Sequence, residues 1–364
     1  MKVLSVHLFT GFPGFISSQL IRELFRKNYA DHIYAIVLPT QKEKALDESL
    51  KIMEIFPGRR ITIVEGDINL PQIGIAEKTL SEFANNIKVV WHLAAIYDLA
   101  VPKEVAWKVN VDGTKNVNDF VQTLPNLTRY IYFSTAYVAG KREGIILENE
   151  LIRPEGFKNY YEETKFEAEL LVEDIKKVVP TTIIRPGIVR GNSLTGETQK
   201  FDGPYFFLNM IDKLKFLPAI PYVGRSTALI NVVPIDFIIE ASAFISQEDE
   251  AIGKTLHLTD PHPHPVLEVY RMMVKLMTSK FPKGRLPLSL TRQCLKIKAI
   301  RKSLGVEFET LDYLTWNAYF DCSEAKKILA KGKIKCPDFI KSMPSMVNYY
   351  NNNKHKKEYH IEIK

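Results

Sequence analysis

The stretch Thr10-Gly11-Phe12-Pro13-Gly14-Phe15-Ile16-Ser17 follows an apolar run, Val3–Phe9, and opens a helical pattern over Phe15–Asn28. Strand, glycine-rich turn and helix in that order form the context in which a loop cradles a dinucleotide. Gly11 permits the tight turn, and Gly14 lets the backbone approach a pyrophosphate. The helix start adds free N–H groups and the positive end of its dipole. Thr10, Gly11, Phe12, Pro13, Gly14, Phe15 and Ile16 are therefore the candidate binding loop. Ser17 takes the third small position and still allows close helix–strand packing. An ordinary strand-to-helix turn is the plainer alternative, and the position and strand context favour the dinucleotide site.

Beyond the loop, short β-branched runs alternate with longer helical patterns. The strands are expected at Ile33–Leu38, Ile61–Glu65, Val89–His92, Tyr130–Ser134 and Thr181–Arg185. Helices are expected at Lys42–Phe56, Ala76–Asn86, Lys103–Thr123 and Tyr160–Val178. Near-continuous apolar strands alternating with helices predict an α/β fold, a doubly wound parallel (Rossmann) sheet covered on both faces. Ligand then sits at the carboxyl ends of the strands. Residues 1–190 form this unit, with a returning strand at Thr255–Leu258. Residues 191–364 read mainly as a smaller substrate-side lobe, with helices near Val266–Thr278, Ser323–Ala330 and Pro337–Tyr350.

The chain has 364 residues, 46% of them hydrophobic, enough for one large core with an added lobe. Its net charge of +7 is modest, and its basic residues are spread out except near Lys296–Lys302 and Lys354–Lys357. That pattern reads as solvated surface and a frayed tail, and argues against a nucleic-acid partner. Cys294, Cys322 and Cys336 lack metal-ligand spacing and fit a reducing compartment. Met1–Val6 does not read as a signal peptide. The apolar stretch Ala228–Ile245 is broken by Asn231, Pro234, Asp236 and Glu240, so a buried strand and helix is expected rather than a membrane span. A cytoplasmic location follows as the expectation, and a homo-oligomer is compatible with it. His262 and His264 alternate with prolines in an extended segment without a third ligand, so no metal site is expected.

Chemistry enters with Tyr161 and Lys165, which project from one helical face at i and i+4. A phenol titrates near pH ~10, and a neighbouring ammonium draws it toward neutrality. Asp67 and Ile68 close the third strand, where a carboxylate can reach an adenine amino group. Leu93, Ala94 and Ala95 follow the fourth, where small residues let the backbone pass along a cofactor. Ser134 and Thr135 end the fifth and place a hydroxyl where a carbonyl oxygen would be polarised. Arg185-Pro186-Gly187-Ile188-Val189 ends the sixth, making Pro186, Gly187 and Val189 cofactor candidates. No carboxylate follows the second strand until Glu43, and Thr40 and Lys42 would help to hold a 2′-phosphate. The cofactor expectation is therefore NADP, with NAD the alternative.

Taken in this order, the motifs resemble those of the extended short-chain dehydrogenase/reductases over residues 1 to 260. The branch that contains fatty acyl-CoA reductases (the male-sterility group) and thioester reductase domains matches best. That resemblance is carried by Gly66–Ile75, Ser134–Val138 and Val233–Phe237. It implies Tyr161 as general acid/base, Lys165 as its ribose-binding and pKa-lowering partner, and Thr135 as the hydroxyl on the substrate oxygen. It also implies that Asn110 supports a proton relay; Ser134 is the alternative hydroxyl. Ser17, and Leu38 where many NADP-using relatives carry arginine, depart from the pattern. The expected activity is hydride transfer to or from a carbonyl or thioester carbon of an apolar substrate: a fatty-acyl thioester, long-chain aldehyde or polycyclic ketone. Such a thioester would be linked to CoA or to a carrier protein. A nucleotide-sugar epimerase or dehydratase and a non-catalytic NAD(P)-binding regulator are the alternatives. Tyr313, Trp316, Tyr319 and Phe320 are read as lobe core, or else as pocket lining.

Overall fold

The computed structural model describes residues 5–98 and 100–363; Val3 and Leu4, the start of the predicted first strand, lie outside them. Seven strands form one parallel sheet: β1 (Val6–Thr10), β2 (His32–Val37), β3 (Arg60–Glu65), β4 (Ile87–His92), β5 (Arg129–Phe133), β6 (Thr181–Pro186) and β7 (Thr255–Leu258). Their spatial order is β7-β6-β5-β4-β1-β2-β3. The chain runs outward from β1 to β3, then returns to β4 on the other side of β1. That reversal opens a crevice between the ends of β1 and β4, where ligands bind in such sheets.

Helices α1 (Phe15–Arg26), α2 (Lys42–Ile55), α3 (Glu77–Phe83), α4 (Lys103–Ala106), α5 (Gly113–Val121) and α6 (Tyr160–Ile175) connect the strands. Successive strand residues point to opposite faces, and each face has its own core. Phe9, Trp91, Ile131, Phe133 and Ile184 pack on one side against Leu20, Ile21 and Leu24 of α1. Leu8, Val90, Tyr130, Tyr132 and Ile183 pack on the other against Phe120 of α5 and Val172 of α6. The predicted single helix over 103–123 is instead α4 and α5 joined by a π-helical segment, Trp107–Asp112.

The later part contains α7 (Tyr205–Leu214), α8 (Ile235–Ile245), α9 (Val266–Thr278), α10 (Leu288–Lys296), α11 (Lys298–Leu304), α12 (Ser323–Lys331) and α13 (Phe339–Asn353). Of these, α8 and α12 contribute Ile238, Ile239, Ile328 and Leu329 to the first sheet face. The others share a separate core that includes Phe206, Met273, Leu295 and Met343. The basic run near Lys296 lies on α10 and α11, with Lys296, Lys298 and Lys302 exposed, as expected of a solvated surface, and Leu295 buried. One expectation is corrected. The tail is not frayed: Tyr359 stacks on Phe201 at 5.0 Å, and Ile363 is buried. Among the described residues no helix is long and apolar enough to cross a membrane.

Candidate active site

Gly11 adopts a φ of +87°, and a Cβ there would lie 2.7 Å from the Ala94 amide nitrogen. Glycine is thus required twice, by conformation and by space. The same close approach explains why Leu93, Ala94 and Ala95 follow β4: the loop after β1 crosses directly over them. The Ala94 N–H donates to Thr10 Oγ1 at 3.2 Å, which also lies 2.8 Å from His92 Nδ1. His92 Nε2 reaches Thr114 Oγ1 at 3.1 Å, and burial depresses the ring's pKa to about 3. The neutral imidazole is a structural bridge between two hydroxyls.

At the helix start, the Gly14 N–H donates to the Gly11 carbonyl at 2.9 Å. A Cβ on Gly14 would stand 2.7 Å from that same oxygen. Ser17 Oγ donates to the carbonyls of both Gly11 (2.8 Å) and Gly14 (3.0 Å). Its hydroxyl therefore ties the loop shut from inside. Phe12 and Pro13 are buried, with Phe12 in the sheet core, whereas Gly14 is exposed and Phe15 and Ile16 are half-buried.

The remaining cofactor candidates ring this loop at the strand ends. Asp67 Oδ1 accepts the Asn69 N–H at 2.8 Å, and the Ile68 carbonyl accepts Asn116 Nδ2 at 2.8 Å. Thr40 is exposed on the turn after β2. Lys42 pairs with Glu65, at the end of β3, at 2.6 Å. Pro186 ends β6, and Val189 lies in the short strand Ile188–Arg190, paired with Val232–Pro234. A Cβ on Gly187 would sit 2.7 Å from Asn231 Oδ1. Asn231, buried and donating to the Asp260 carbonyl at 2.9 Å, thus fixes the path past Gly187. Sequence reading saw Asn231 only as an interruption of an apolar run.

The acid–base candidates converge where β5 meets α6. Asn159 caps α6, its Oδ1 accepting the Glu162 N–H at 2.9 Å. Tyr161 is half-buried, and its phenol is pushed above its ordinary pKa by burial first and the adjacent Glu162 second. Lys165 is buried; its ammonium donates to Tyr132 OH at 2.8 Å and to the Phe133 carbonyl at 2.7 Å. Burial lowers its pKa to about 7, opposed by Glu169. Among the described residues no hydrogen bond joins Lys165 to Tyr161. Ser134 and Thr135 are treated differently by their surroundings. Ser134 Oγ donates to Glu169, which is itself held by Arg185 at 2.5 Å. Among the described residues, Thr135 Oγ1 accepts one long 3.3 Å bond, from the Tyr137 N–H, which leaves its own proton uncommitted by that bond. Asn110 is buried in the π-helical segment, its Oδ1 accepting the Ile96 N–H at 2.9 Å and its Nδ2 donating to Thr164 Oγ1 at 3.0 Å.

A buried polar cluster beside Tyr161 was not foreseen from sequence. Glu162 Oε1 accepts from Tyr313 OH at 2.6 Å, and Glu162 Oε2 lies 3.6 Å from the Lys158 ammonium. That ammonium also donates to the Gly140 carbonyl and sits 3.5 Å over the Trp316 ring. Trp316 and Phe320 pack on Tyr137 at 5.4 and 5.5 Å, as lobe core would. Tyr319 is exposed, and Tyr313 reaches the catalytic helix candidate instead. His264 pairs with Asp338 at 3.0 Å.

The family described as "Male sterility protein" matches residues 9–242, more than half of the chain. Among curated proteins, the chain is similar to fatty acyl-CoA reductase wat of Drosophila melanogaster, 27% identical over 269 residues, covering 64% of this chain and 52% of that one. It is also similar to a linear gramicidin synthase of Brevibacillus parabrevis, 26% identical over 271 residues, covering 70% of this chain and 5% of that one. The chain thus spans about half the length of the first relative and a small fraction of the second. Among solved structures, the terminal R domain from the myxalamid PKS-NRPS biosynthetic pathway superposes with a TM-score of 0.80 at 24% identity, over 98% of this chain and 93% of that one. A UDP-glucuronic acid 4-epimerase from Bacillus cereus in complex with NAD shares the fold, with a TM-score of 0.66 at 20% identity, over 95% of this chain and 99% of that one. With its glycine loop, parallel sheet and family match, the chain belongs to the male sterility protein family, within the NAD(P)-dependent extended short-chain dehydrogenase/reductases.

Proposed function

We propose that the protein is an NADP(H)-dependent reductase acting on the carbonyl carbon of an acyl thioester or aldehyde with an apolar chain. The observation that carries this reading is the contrast at the end of β5: Ser134 is committed to Glu169, while Thr135 caps the short turn Ala136–Ala139, which packs against α6, the helix that bears Tyr161 and Lys165. In this reading the Thr135 hydroxyl donates a hydrogen bond to the substrate oxygen. Tyr161 donates its phenolic proton to that oxygen as negative charge develops there. Burial costs a phenolate dearly, so Lys165, one helical turn away, offsets it. Asn110 keeps the loop after β4 and the first turns of α6 in register.

The residues of the crevice fit a dinucleotide: Gly11 and Gly14 leave no room for a Cβ, and Gly14 opens toward solvent at a helix N-terminus. Thr10–Ile16, Asp67, Ile68, Leu93–Ala95, Lys165, Pro186, Gly187 and Val189 would hold it. When bound, the nicotinamide supplies the hydride. NADP is favoured over NAD because Lys42 neutralises Glu65, at the neighbouring strand end, and no carboxylate follows β2 before Glu43. The name of the Drosophila relative, a fatty acyl-CoA reductase, favours a thioester delivered as a CoA ester; delivery on a carrier protein is the alternative.

The test is NADPH consumption against long-chain acyl-CoAs, acyl-carrier thioesters, aldehydes, polycyclic ketones and UDP-sugars. Consumption with an acyl thioester, with release of a free thiol and an aldehyde or alcohol, supports the reading. Turnover of a UDP-sugar alone would replace it with the nucleotide-sugar reading.

A further inference from the structure

The described residues between β4 and α4 form no helix or strand, yet one of their side chains meets the proposed acid. The Tyr97 ring stands edge-on to the Tyr161 ring, centroids 5.0 Å apart and planes at 86°. The preceding residue is fixed on both sides of its peptide unit: Asn110 Oδ1 accepts the Ile96 N–H at 2.9 Å, and Asn110 Nδ2 donates to the Ile96 carbonyl at 3.3 Å. That Nδ2 also donates to Thr164 Oγ1, which donates in turn to the Tyr160 and Tyr161 carbonyls at 2.8 and 3.2 Å. One buried asparagine therefore brackets the loop that carries Tyr97 and the helical turn that carries Tyr161. On the far side, Asp98 Oδ1 accepts the Ala100 N–H at 2.9 Å, and the Asp98 carbonyl accepts the Val101 N–H at 3.2 Å.

We propose that Tyr97 is a positioning residue whose ring holds the Tyr161 phenol in its proton-donating orientation. The proposal rests on Tyr161 being the acid. The phenol oxygen lies on the axis of the ring's soft χ2 torsion, so the range of hydroxyl positions open to a phenol held only by its own backbone is set by χ1 and its staggered wells. An edge-to-face neighbour narrows that range. Tyr97 itself is 49% exposed, so it is not there to fill the core. The titratable groups that act on its phenol are Asp202, Tyr161, Tyr137 and Asp98, and of these Tyr161 is in ring contact.

The experiment compares Tyr97→Phe, Tyr97→Leu and Tyr97→Ala on the best thioester or aldehyde substrate. A misplacement of ~1 Å at a reacting group costs about 100-fold in rate. Tyr97→Ala is expected to lower kcat by about 10- to 100-fold, with the Kd for NADPH, read by fluorescence, unchanged. Tyr97→Phe restores kcat, because the ring and not its hydroxyl does the positioning. Tyr97→Leu, which keeps bulk without an aromatic edge, stays low. The kcat–pH profile of the Leu and Ala variants shifts from that of wild type, since the surroundings of the phenol change. The proposal is overturned if Tyr97→Leu equals Tyr97→Phe, or if Tyr97→Ala raises only the substrate KM. If Tyr161→Phe abolishes turnover and Tyr97→Ala leaves kcat unchanged, this inference alone falls. If Tyr161→Phe retains turnover, the acid–base reading falls with it.

Discussion

Removing the Tyr313 hydroxyl tests how the lobe is fastened to α6. In Tyr313→Phe, Glu162 Oε1 loses a 2.6 Å hydrogen bond inside a fully buried carboxylate site. Oε2 keeps the Lys158 N–H at 3.1 Å and the ammonium at 3.6 Å. A hydrogen bond to a charged group contributes about 1.5–3 kcal/mol, and the oxygen left behind keeps its desolvation cost. At about 2.1 cal/mol/K per residue, a chain of 364 residues has an unfolding entropy near 0.8 kcal/mol/K. The melting temperature should then fall by about 2–4 °C. Burial already raises the Glu162 carboxyl, and Lys158 and Tyr313 oppose that rise. A carboxylate with a raised folded pKa contributes most below its unfolded pKa and loses that contribution as pH rises through the folded value. Tyr313→Phe pushes the folded pKa higher still, so its deficit should be larger at pH ~8 than near the unfolded carboxylate pKa of ~4.3. Urea unfolding of Tyr313→Phe, Glu162→Gln and the double variant at both pH values measures the coupling. A coupling energy under about 0.3 kcal/mol, no more than independent sites give, or a deficit that does not change with pH, would refute the clamp.

The two neighbouring hydroxyls should separate cleanly. Ser134→Ala should cost about 1–3 kcal/mol of stability with kcat largely kept, whereas Thr135→Ala should lower kcat about 100-fold with little loss of stability; the reverse pattern would transfer the substrate role to Ser134. Gly11→Ala forces an L side chain into positive φ, at ~1–2 kcal/mol, and against the Ala94 backbone, so NADPH affinity by fluorescence titration should drop at least about 10-fold. Lys165 has a folded pKa of about 7, below its ordinary 10.5, so its charged form weakens the fold and stability recovers as pH rises between those values. The wild-type urea midpoint should accordingly climb relative to Lys165→Met across that window, and parallel curves would contradict the shift.

What the sequence made legible follows from burial. Parallel strands covered on both faces must be apolar throughout, so β4 and β6 stand out as runs, and the returning Thr255–Leu258 strand reads the same way. The loop after β1 was equally plain, because glycine spacing reports a backbone constraint directly. Helix α7 was not legible: six of its ten residues are buried, so no polar face sets a period. Helices α10 and α11 are short and basic, and their lysines are solvated as expected; that Leu295 packs into the lobe core was not legible. In the site, residue types and order were readable, while partners were not. Tyr313 lies 151 residues from Glu162 and Asn231 lies far from Gly187, and no local pattern encodes either meeting. Nor does any pattern show that Glu169 would take Ser134 and leave Thr135.

The central claim is that hydride reaches the carbonyl carbon of a thioester or aldehyde while Tyr161 supplies the proton. The most direct measurement uses NADPH deuterated at nicotinamide C4 with a long-chain acyl thioester, reading the product by mass spectrometry for wild type and Tyr161→Phe. Deuterium on the former carbonyl carbon in wild type, with turnover reduced at least about 100-fold in Tyr161→Phe, is the expected result. Thioester consumed without deuterium in the product, or full deuterium transfer by Tyr161→Phe, would contradict the account.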